Sequence, residues 1–331
     1  VVARISQDDD SGVGVGGGGD DDCHDDKQDG EGDVDDDGFL DLFTANLSDD
    51  TVSVLLGNGD GTFAPQVTYM TSLFPQSVAL GDLNGDGDLD IAVTTGLNDS
   101  VGVLLGNGDG SFAPEMSFNA INAPESMALG DLDGDNDLDI VVPNSSNDIV
   151  SVLLGNGDGT FAAPSTFPLG VAPRCGALGA LDYDGDLDMT VANSQSDNVS
   201  VLLNNGDGTF AVSVAYSTGD GPISIAAADF DGDNLDDLVC VRHRVSHVFL
   251  PNDGADGFGL TTGTFFGVVE NSKDTVVADF NGDAGTFAYT ATDSEGESAS
   301  QVITLAVTPV NDAPVAEDDT DITDEGTPIT V

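Results

Sequence analysis

Gly81-Asp82-Leu83-Asn84-Gly85-Asp86-Gly87-Asp88-Leu89-Asp90-Ile91 is an acidic loop that runs straight into an apolar strand, and it returns along the chain every 49 residues. One copy holds Asp33, Asp35, Asp37, Gly38, Phe39 and Asp41. Another holds Asp131, Asp133, Asp135, Asn136, Asp137 and Asp139, and a third Asp229, Asp231, Asp233, Asn234, Leu235 and Asp237. The copy at 180–188 keeps the phase but opens on Ala180 before Asp182, Asp184, Asp186 and Asp188. A degenerate sixth copy, Asp279-Phe280-Asn281-Gly282-Asp283, stops after its third oxygen donor.

The segments between the loops carry a second pattern in the same phase. Each loop leads into an apolar strand such as Ile140-Val141-Val142, and a polar turn leads to a second strand such as Val199 to Leu203. Asn-Gly-Asp-Gly follows at 58–61, 107–110, 156–159 and 205–208. Asn-Gly supplies the positive φ angles of a tight hairpin. A third strand is expected from Phe63, Phe112, Phe161 and Phe210, and a fourth, such as Ser126 to Leu129, precedes the next loop. Four short strands per unit of this length predict an all-β fold, a β-propeller of about five to six four-stranded blades. A β-helix has shorter repeats. Small residues ahead of each loop, such as Ala79, Gly81, Ala128 and Gly130, suit the crowded strand at the propeller's centre.

The pattern divides the chain into three parts. Residues 1–32 are dominated by Asp and Gly and read as an arm too poor in apolar side chains to order itself. Residues 33–283 hold the blades. The first blade lacks a good inner strand, because 23–32 is too polar, whereas Thr275 to Phe280 is an inner strand with no blade after it. That segment is expected to close the ring on the first blade, or a neighbouring chain to supply the missing strand. Residues 284–331 change character: Thr286 to Thr292 and Gln301 to Val307 alternate as antiparallel strands, and Pro309 to Pro314 reads as a linker. So few strands cannot bury a stable core alone.

In each loop, side-chain oxygens at positions one, three, five and nine converge, and position seven offers its backbone carbonyl. Position six must turn sharply and is Gly or Asn throughout, the residues that most readily take left-handed backbone. The scheme matches the first nine positions of an EF-hand loop without its terminal Glu. All-oxygen ligation selects a hard cation, and several carboxylates with a carbonyl fit Ca2+ better than the smaller Mg2+. Four complete loops predict four strong sites. Asp182, Asp184 and Asp188 form a weaker one, and 279–283 at most a partial one. Without metal, clustered carboxylates repel each other, so the fold is expected to depend on calcium.

Composition supports this reading. Of 331 residues 61 are acidic and six basic, a net charge of −55, and 53 of the acids are Asp. Asp has the short arm that suits tight turns and oxygen cages. So large a negative charge excludes nucleic acid and anionic membrane surfaces as partners. No apolar run is long enough to span a bilayer.

The repeats resemble the FG-GAP/VCBS family. Gly81 to Ile91 followed by Leu104-Leu105-Gly106-Asn107-Gly108-Asp109-Gly110-Ser111-Phe112-Ala113-Pro114 carries the likeness, over roughly 33–283. That resemblance implies integrin-α-like propeller blades with calcium in a DxDxDGxxD loop. The tail, Gly285 to Gly296 with Asn311-Asp312-Ala313-Pro314, resembles the cadherin-like or Ig-like tandem repeats of large bacterial surface proteins.

Other candidates are fewer. His243 and His247 lie in the one basic cluster, which reads as local ion pairing ahead of an anionic-glycan patch. Cys23-His24 offers too few ligands for a transition metal, and Cys23, Cys175 and Cys240 leave at least one cysteine unpaired within the chain. Asn46, Asn98, Asn144 and Asn198 open N-glycosylation sequons. Every acidic cluster is absorbed by the metal loops, so no enzyme is expected. The expected function is an extracellular calcium-binding protein with a structural or adhesive role at the cell surface. Its expected partners are further copies in a fibre joined by strand complementation, or a neighbouring surface protein. The alternative is a glycan- or protein-binding propeller module of a larger secreted protein or hydrolase.

Overall fold

The computed structural model describes residues 29–120, 123–230, 233–242, 246–252, 254, 265–267, 286–292 and 298–304. Among them there is no helix, and the strands form five four-stranded antiparallel sheets and one hairpin. The first blade is β1 (Asp29–Gly32), β2 (Asp41–Asn46), β3 (Thr51–Leu55) and β4 (Val67–Met70). The second is β5 (Pro75–Gly81), β6 (Asp90–Thr95), β7 (Ser100–Leu104) and β8 (Met116–Asn119). The third runs β9 (Ala128–Gly130), β10 (Asp139–Asn144), β11 (Ile149–Leu153) and β12 (Ser165–Pro168), and the fourth β13 (Pro173–Gly179), β14 (Asp188–Asn193), β15 (Asn198–Leu202) and β16 (Val214–Ser217). The fifth is β17 (Pro222–Ala228), β18 (Asp237–Arg242), β19 (Ser246–Leu250) and β20 (Phe265–Gly267). Within each sheet the strands lie side by side in chain order.

Burial follows the sequence pattern. The middle strands β6, β10 and β14 are buried along their whole length, as continuous apolar strands covered on both faces should be. The outer strands β4, β12 and β16 are largely exposed. Four apolar clusters lie between the sheets; one joins Phe43, Val52 and Val54 of the first blade to Val78, Ile91 and Leu104 of the second. Edge-on ring contacts join the outer rims, Tyr69 to Phe112, Phe118 to Phe161 and Phe167 to Phe210, with centroids 5.3–5.4 Å apart.

The inner strands stack on one another, β1 on β5, β5 on β9, β9 on β13 and β13 on β17. Glycine makes the close approach possible. A Cβ on Gly81 would stand 2.6 Å from a Leu138 methyl, and one on Gly130 2.7 Å from a Leu178 methyl. The next blade's leucines occupy the space that a side chain would need.

Three strand boundaries differ from the sequence reading. The polar run Asp29–Gly32, which that reading leaves in the arm, forms the inner strand of the first blade, with Gly32 opposite Asp41. Its pairing is made by backbone, and the inner position favours small residues over apolar ones. The outermost strands begin at Val67, Met116, Ser165 and Val214, after the expected Phe63, Phe112, Phe161 and Phe210. Those phenylalanines make single bridges that close the Asn-Gly-Asp-Gly hairpins. Pro65, Pro114 and Pro164, which lack the N–H of a ladder, separate the bridge from the strand in three blades. The tail hairpin pairs β21 (Thr286–Thr292) with β22 (Ser298–Thr304), so its second strand starts earlier than Gln301. The arm at 1–28, the segment 275–283 and the end from 305 lie outside the described residues.

Candidate metal centre

Each acidic loop joins the innermost strand of a blade to the next strand. Its shape comes from carboxylates accepting nearby backbone N–H groups. In the second loop Asp82 Oδ1 accepts Gly85 N–H at 2.8 Å, and Asp82 Oδ2 accepts Gly87 N–H at 2.9 Å. Asp131 does the same for Gly134 and Asn136, at 2.8 and 2.9 Å. Asp33 accepts Gly38 N–H, and Asp229 accepts Asn234 N–H. Position five then accepts the N–H of position seven in all five loops, from Asp37, Asp86, Asp135, Asp184 and Asp233. Position three accepts that of position five from Asn84, Asp133 and Asp182.

The expected left-handed turn at position six is present, with φ of 86° at Gly38, 93° at Gly87, 70° at Asn136, 95° at Gly185 and 68° at Asn234. Position four is left-handed as well in the first four loops, with φ of 56° at Asp36, 73° at Gly85, 77° at Gly134 and 65° at Tyr183. For a bulky tyrosine that conformation is strained, and nothing in the sequence pattern announces it.

Position nine has a role that the ligand scheme overlooked. Its carboxylate is fully buried in every loop, at Asp41, Asp90, Asp139, Asp188 and Asp237. Both oxygens accept backbone N–H groups. Asp139 Oδ2 takes Leu132 N–H and Oδ1 takes Gly155 N–H, each at 2.7 Å. Asp41, Asp90, Asp188 and Asp237 repeat the pair of bonds with Val34 and Gly57, Leu83 and Gly106, Leu181 and Asn204, and Phe230 and Asn252. This carboxylate ties the loop to the far end of the second hairpin strand. Burial pushes the Asp139 and Asp188 carboxyls up to about 6, against the backbone N–H groups that favour their charge.

Oxygens converge most clearly in two loops. One oxygen from each of Asp33, Asp35 and Asp37 lies within 4.8 Å of the others, and so do oxygens of Asp131, Asp133 and Asp139. Asp35 Oδ1 is enclosed with no hydrogen-bond partner. Burial, then the charges of Asp37 and Asp41, raise the Asp35 carboxyl above its usual range. An enclosed carboxylate oxygen without a donor, beside two further carboxylates, is a site that a hard cation fits. The second loop has Asn84 at position three, so it gathers fewer charges. Burial also raises Asp133 and Asp182. Asp231 and the copy at 279–283 lie outside the described residues.

At position seven, whose expected donor is the backbone carbonyl, the side chain packs elsewhere. The side chains of Asp88, Asp137 and Asp186 turn away to pack on Gly108, Gly157 and Gly206 of the Asn-Gly-Asp-Gly hairpin, where a Cβ would overlap them. Phe39 packs on Gly59 in the same way, and Leu235 is fully buried. The hairpin also grips the loop of the preceding blade: Gly110, Gly159 and Gly208 donate N–H to the carbonyls of Val34, Leu83 and Leu132 at 2.9–3.1 Å. The shared 49-residue phase of loop and hairpin was the available signal for this contact.

The fourth loop is closed by its neighbour. Ala180 has no carboxylate, and Asp236 of the fifth blade reaches over instead. Its Oδ2 accepts Ala180 N–H at 2.9 Å, while its own N–H donates to the Ala180 carbonyl at 2.8 Å. Tyr183 adds a bond from its hydroxyl to the Asp233 carbonyl at 3.2 Å.

The sequons separate by exposure. Asn144 is buried, its Nδ2 donating to Val142 O and Ser151 Oγ. Asn46 donates to Thr51 and Ser53, and Asn198 to the Ser196 carbonyl. Asn98 is exposed. His243, Cys23 and His24 fall outside the described residues, while Cys175 and Cys240 are buried thiols.

Comparison with known proteins bears on the repeat and the fold. No curated protein matches the sequence. Among solved structures, a putative 6-phosphogluconolactonase from Bacteroides uniformis is similar at 12% identity and a TM-score of 0.52, over 81% of this chain and 83% of that one. The Tc holotoxin pore of Photorhabdus luminescens is similar at 19% identity and a TM-score of 0.47, over 88% of this chain. This chain spans 14% of that toxin chain. At these identities the first likeness shows a propeller-like fold alone. No helix among the described residues is long and apolar enough to cross a membrane. A model of the FG-GAP-like repeat matches residues 33–93, 92–142 and 181–240, more than half of the chain, and the protein belongs to that family.

Proposed function

We propose that the protein is a calcium-stabilised extracellular repeat protein with a structural or adhesive role, and not an enzyme. The observation that carries the reading is the enclosed, unpartnered Asp35 Oδ1 among converging carboxylates, in a loop that recurs in every blade. Asp33, Asp35, Asp37 and Asp41 would hold the ion in the first loop, and their counterparts in the second, third and fifth. Calcium would supply positive charge to loops that have few cations of their own: the whole chain has six basic residues, and Arg174 is engaged with Glu125 at 3.6 Å. Calcium is plentiful outside cells, where such oxygen cages fill. Asn98 is the sequon whose amide is free for a glycan.

Four strong sites, each contributing about 2.7 kcal/mol at a hundredfold excess of calcium over Kd, raise the melting temperature by about 10 °C or more. Thermal melts in millimolar calcium and in chelator, with metal analysis of the dialysed protein, test this. An unchanged melt, or fewer than two calcium ions per chain, defeats the reading. Glycan-array binding by a calcium-loaded monomer would favour the lectin-like alternative.

A further inference from the structure

Each blade meets the blade before it through two recurring contacts. A leucine at loop position eight enters the space beside a glycine: Leu89 against Gly32, Leu138 against Gly81 and Leu187 against Gly130, where a Cβ would stand 2.6–3.0 Å from the leucine methyl. A buried hairpin glycine, Gly110, Gly159 or Gly208, donates its N–H to the preceding loop. The first blade carries both features uncovered. Leu40 is 60% exposed. Gly61 is exposed too, with no described atom within 4 Å of a Cβ, whereas Cβ atoms on Gly110, Gly159 and Gly208 would press on Leu56, Leu105 and Leu154.

The other end of the stack continues both series. Ala228 stands in the phase of Gly32, Gly81, Gly130 and Gly179, and is half-buried where the last three of these are buried. The carbonyl of Phe230 stands in the phase of Val34, Leu83 and Leu132. Among the described residues no strand packing like that between successive blades returns from the fifth blade to the first.

We propose that the first blade of one copy stacks on the fifth blade of a second copy, in the register the chain uses internally. Leu40 then lies against Ala228, and Gly61 N–H faces the Phe230 carbonyl. A second copy is the occupant because the exposed first-blade surface and the half-buried fifth-blade one are the two halves of an interface that this chain already builds between its own blades. The Ala228 methyl narrows the socket, and the terminal methyls of a leucine can rotate to accept it. The contact is head-to-tail, so it generates a ring or a filament. It does not depend on the calcium reading, although both are tested in calcium.

The test uses the full chain in millimolar calcium with Cys23→Ser, to remove the cysteine outside the described residues. Leu40→Cys combined with Ala228→Cys, under a mild thiol oxidant, is expected to give a ladder of cross-linked copies on a non-reducing gel. A cross-link confined to single chains would mean that the ring closes on itself and overturns the proposal, as would no cross-link at all. In the otherwise natural chain, Leu40→Gln should weaken association at least tenfold by light scattering and, at dilutions where the protein is a single copy, leave the melting temperature unchanged. Leu89→Gln, at the internal counterpart, should lower the melting temperature. A protein that is monomeric at every concentration yet melts higher with calcium overturns this contact and leaves the calcium reading standing.

Discussion

The third and fourth acidic loops share one end and differ at the other. At position nine they are alike: Asp139 and Asp188 are both fully buried, both bonded to two backbone N–H groups, and both raised to about 6 by burial. At position one they part. Asp131 accepts two N–H groups of its own loop, whereas Ala180 has no side-chain oxygen and is held by Asp236 of the next blade. A loop can therefore lose its first carboxylate and keep its place in the fold, provided the ninth remains. The ninth aspartate holds the blade together whether or not an ion is beside it, and the first serves loop closure and the ion.

The largest expected effect tests that division directly. Asp139→Ala strands two buried N–H groups and should cost about 3–5 kcal/mol, a fall of about 10 °C or more in melting temperature. Asp188→Ala should cost a similar amount, in calcium and in chelator alike, although its loop is short of a ligand. A near-neutral Asp188→Ala would break the comparison, because the ninth carboxylate would then matter only through the ion. Thermal melts of both variants under both conditions decide it.

A smaller effect comes from pH. With metal removed, the folded-state carboxyls of Asp139 and Asp188 sit near 6, above the unfolded value near 3.8. The folded chain then binds more protons than the unfolded one between those values. The stability from these groups is fully present below pH 3.8 and is lost as pH rises through 6. In chelator the melting temperature should fall by about 5 °C between pH 4.5 and 7. Saturating calcium should flatten or reverse the slope, because the ion favours the charged carboxylates. A chelated protein that grows more stable over that window would show that burial does not govern the ninth position.

The sequence pattern disclosed most of this arrangement, because the repeat displays each role several times. The blade, its four strands and the turn at position six follow from the spacing of apolar residues, glycines and asparagines. Two kinds of feature escaped it. Backbone-made structure leaves little trace in side chains, so β1 was hidden in Asp29–Gly32 and the two hydrogen bonds accepted by each ninth aspartate in an ordinary ligand position. Contacts between units are the second kind. Ala180 reads as a simple loss until Asp236, where the other blades have Leu89, Leu138 and Leu187, is seen to fill the gap from 56 residues away.

That compensation gives the finest test of the comparison. Ala180→Asp alone would set a new carboxylate beside Asp236, already half-buried and raised by burial. It should destabilise by about 1–2 kcal/mol and bind no further calcium. Asp236→Leu alone removes the acceptor of Ala180 N–H and returns a leucine to the space beside Gly179. Together the two changes rebuild the pairing seen between Leu138 and Gly81, and a first-position carboxylate free to close its loop. The double variant should gain one calcium ion per chain over either single change, with a coupling energy of about 1–2 kcal/mol favouring the pair. Isothermal titration with calcium, alongside melts of the four proteins, reads both quantities. Strictly additive stabilities with no added ion would mean that Ala180 and Asp236 vary independently, and that the fourth loop is weak for a reason other than its first position.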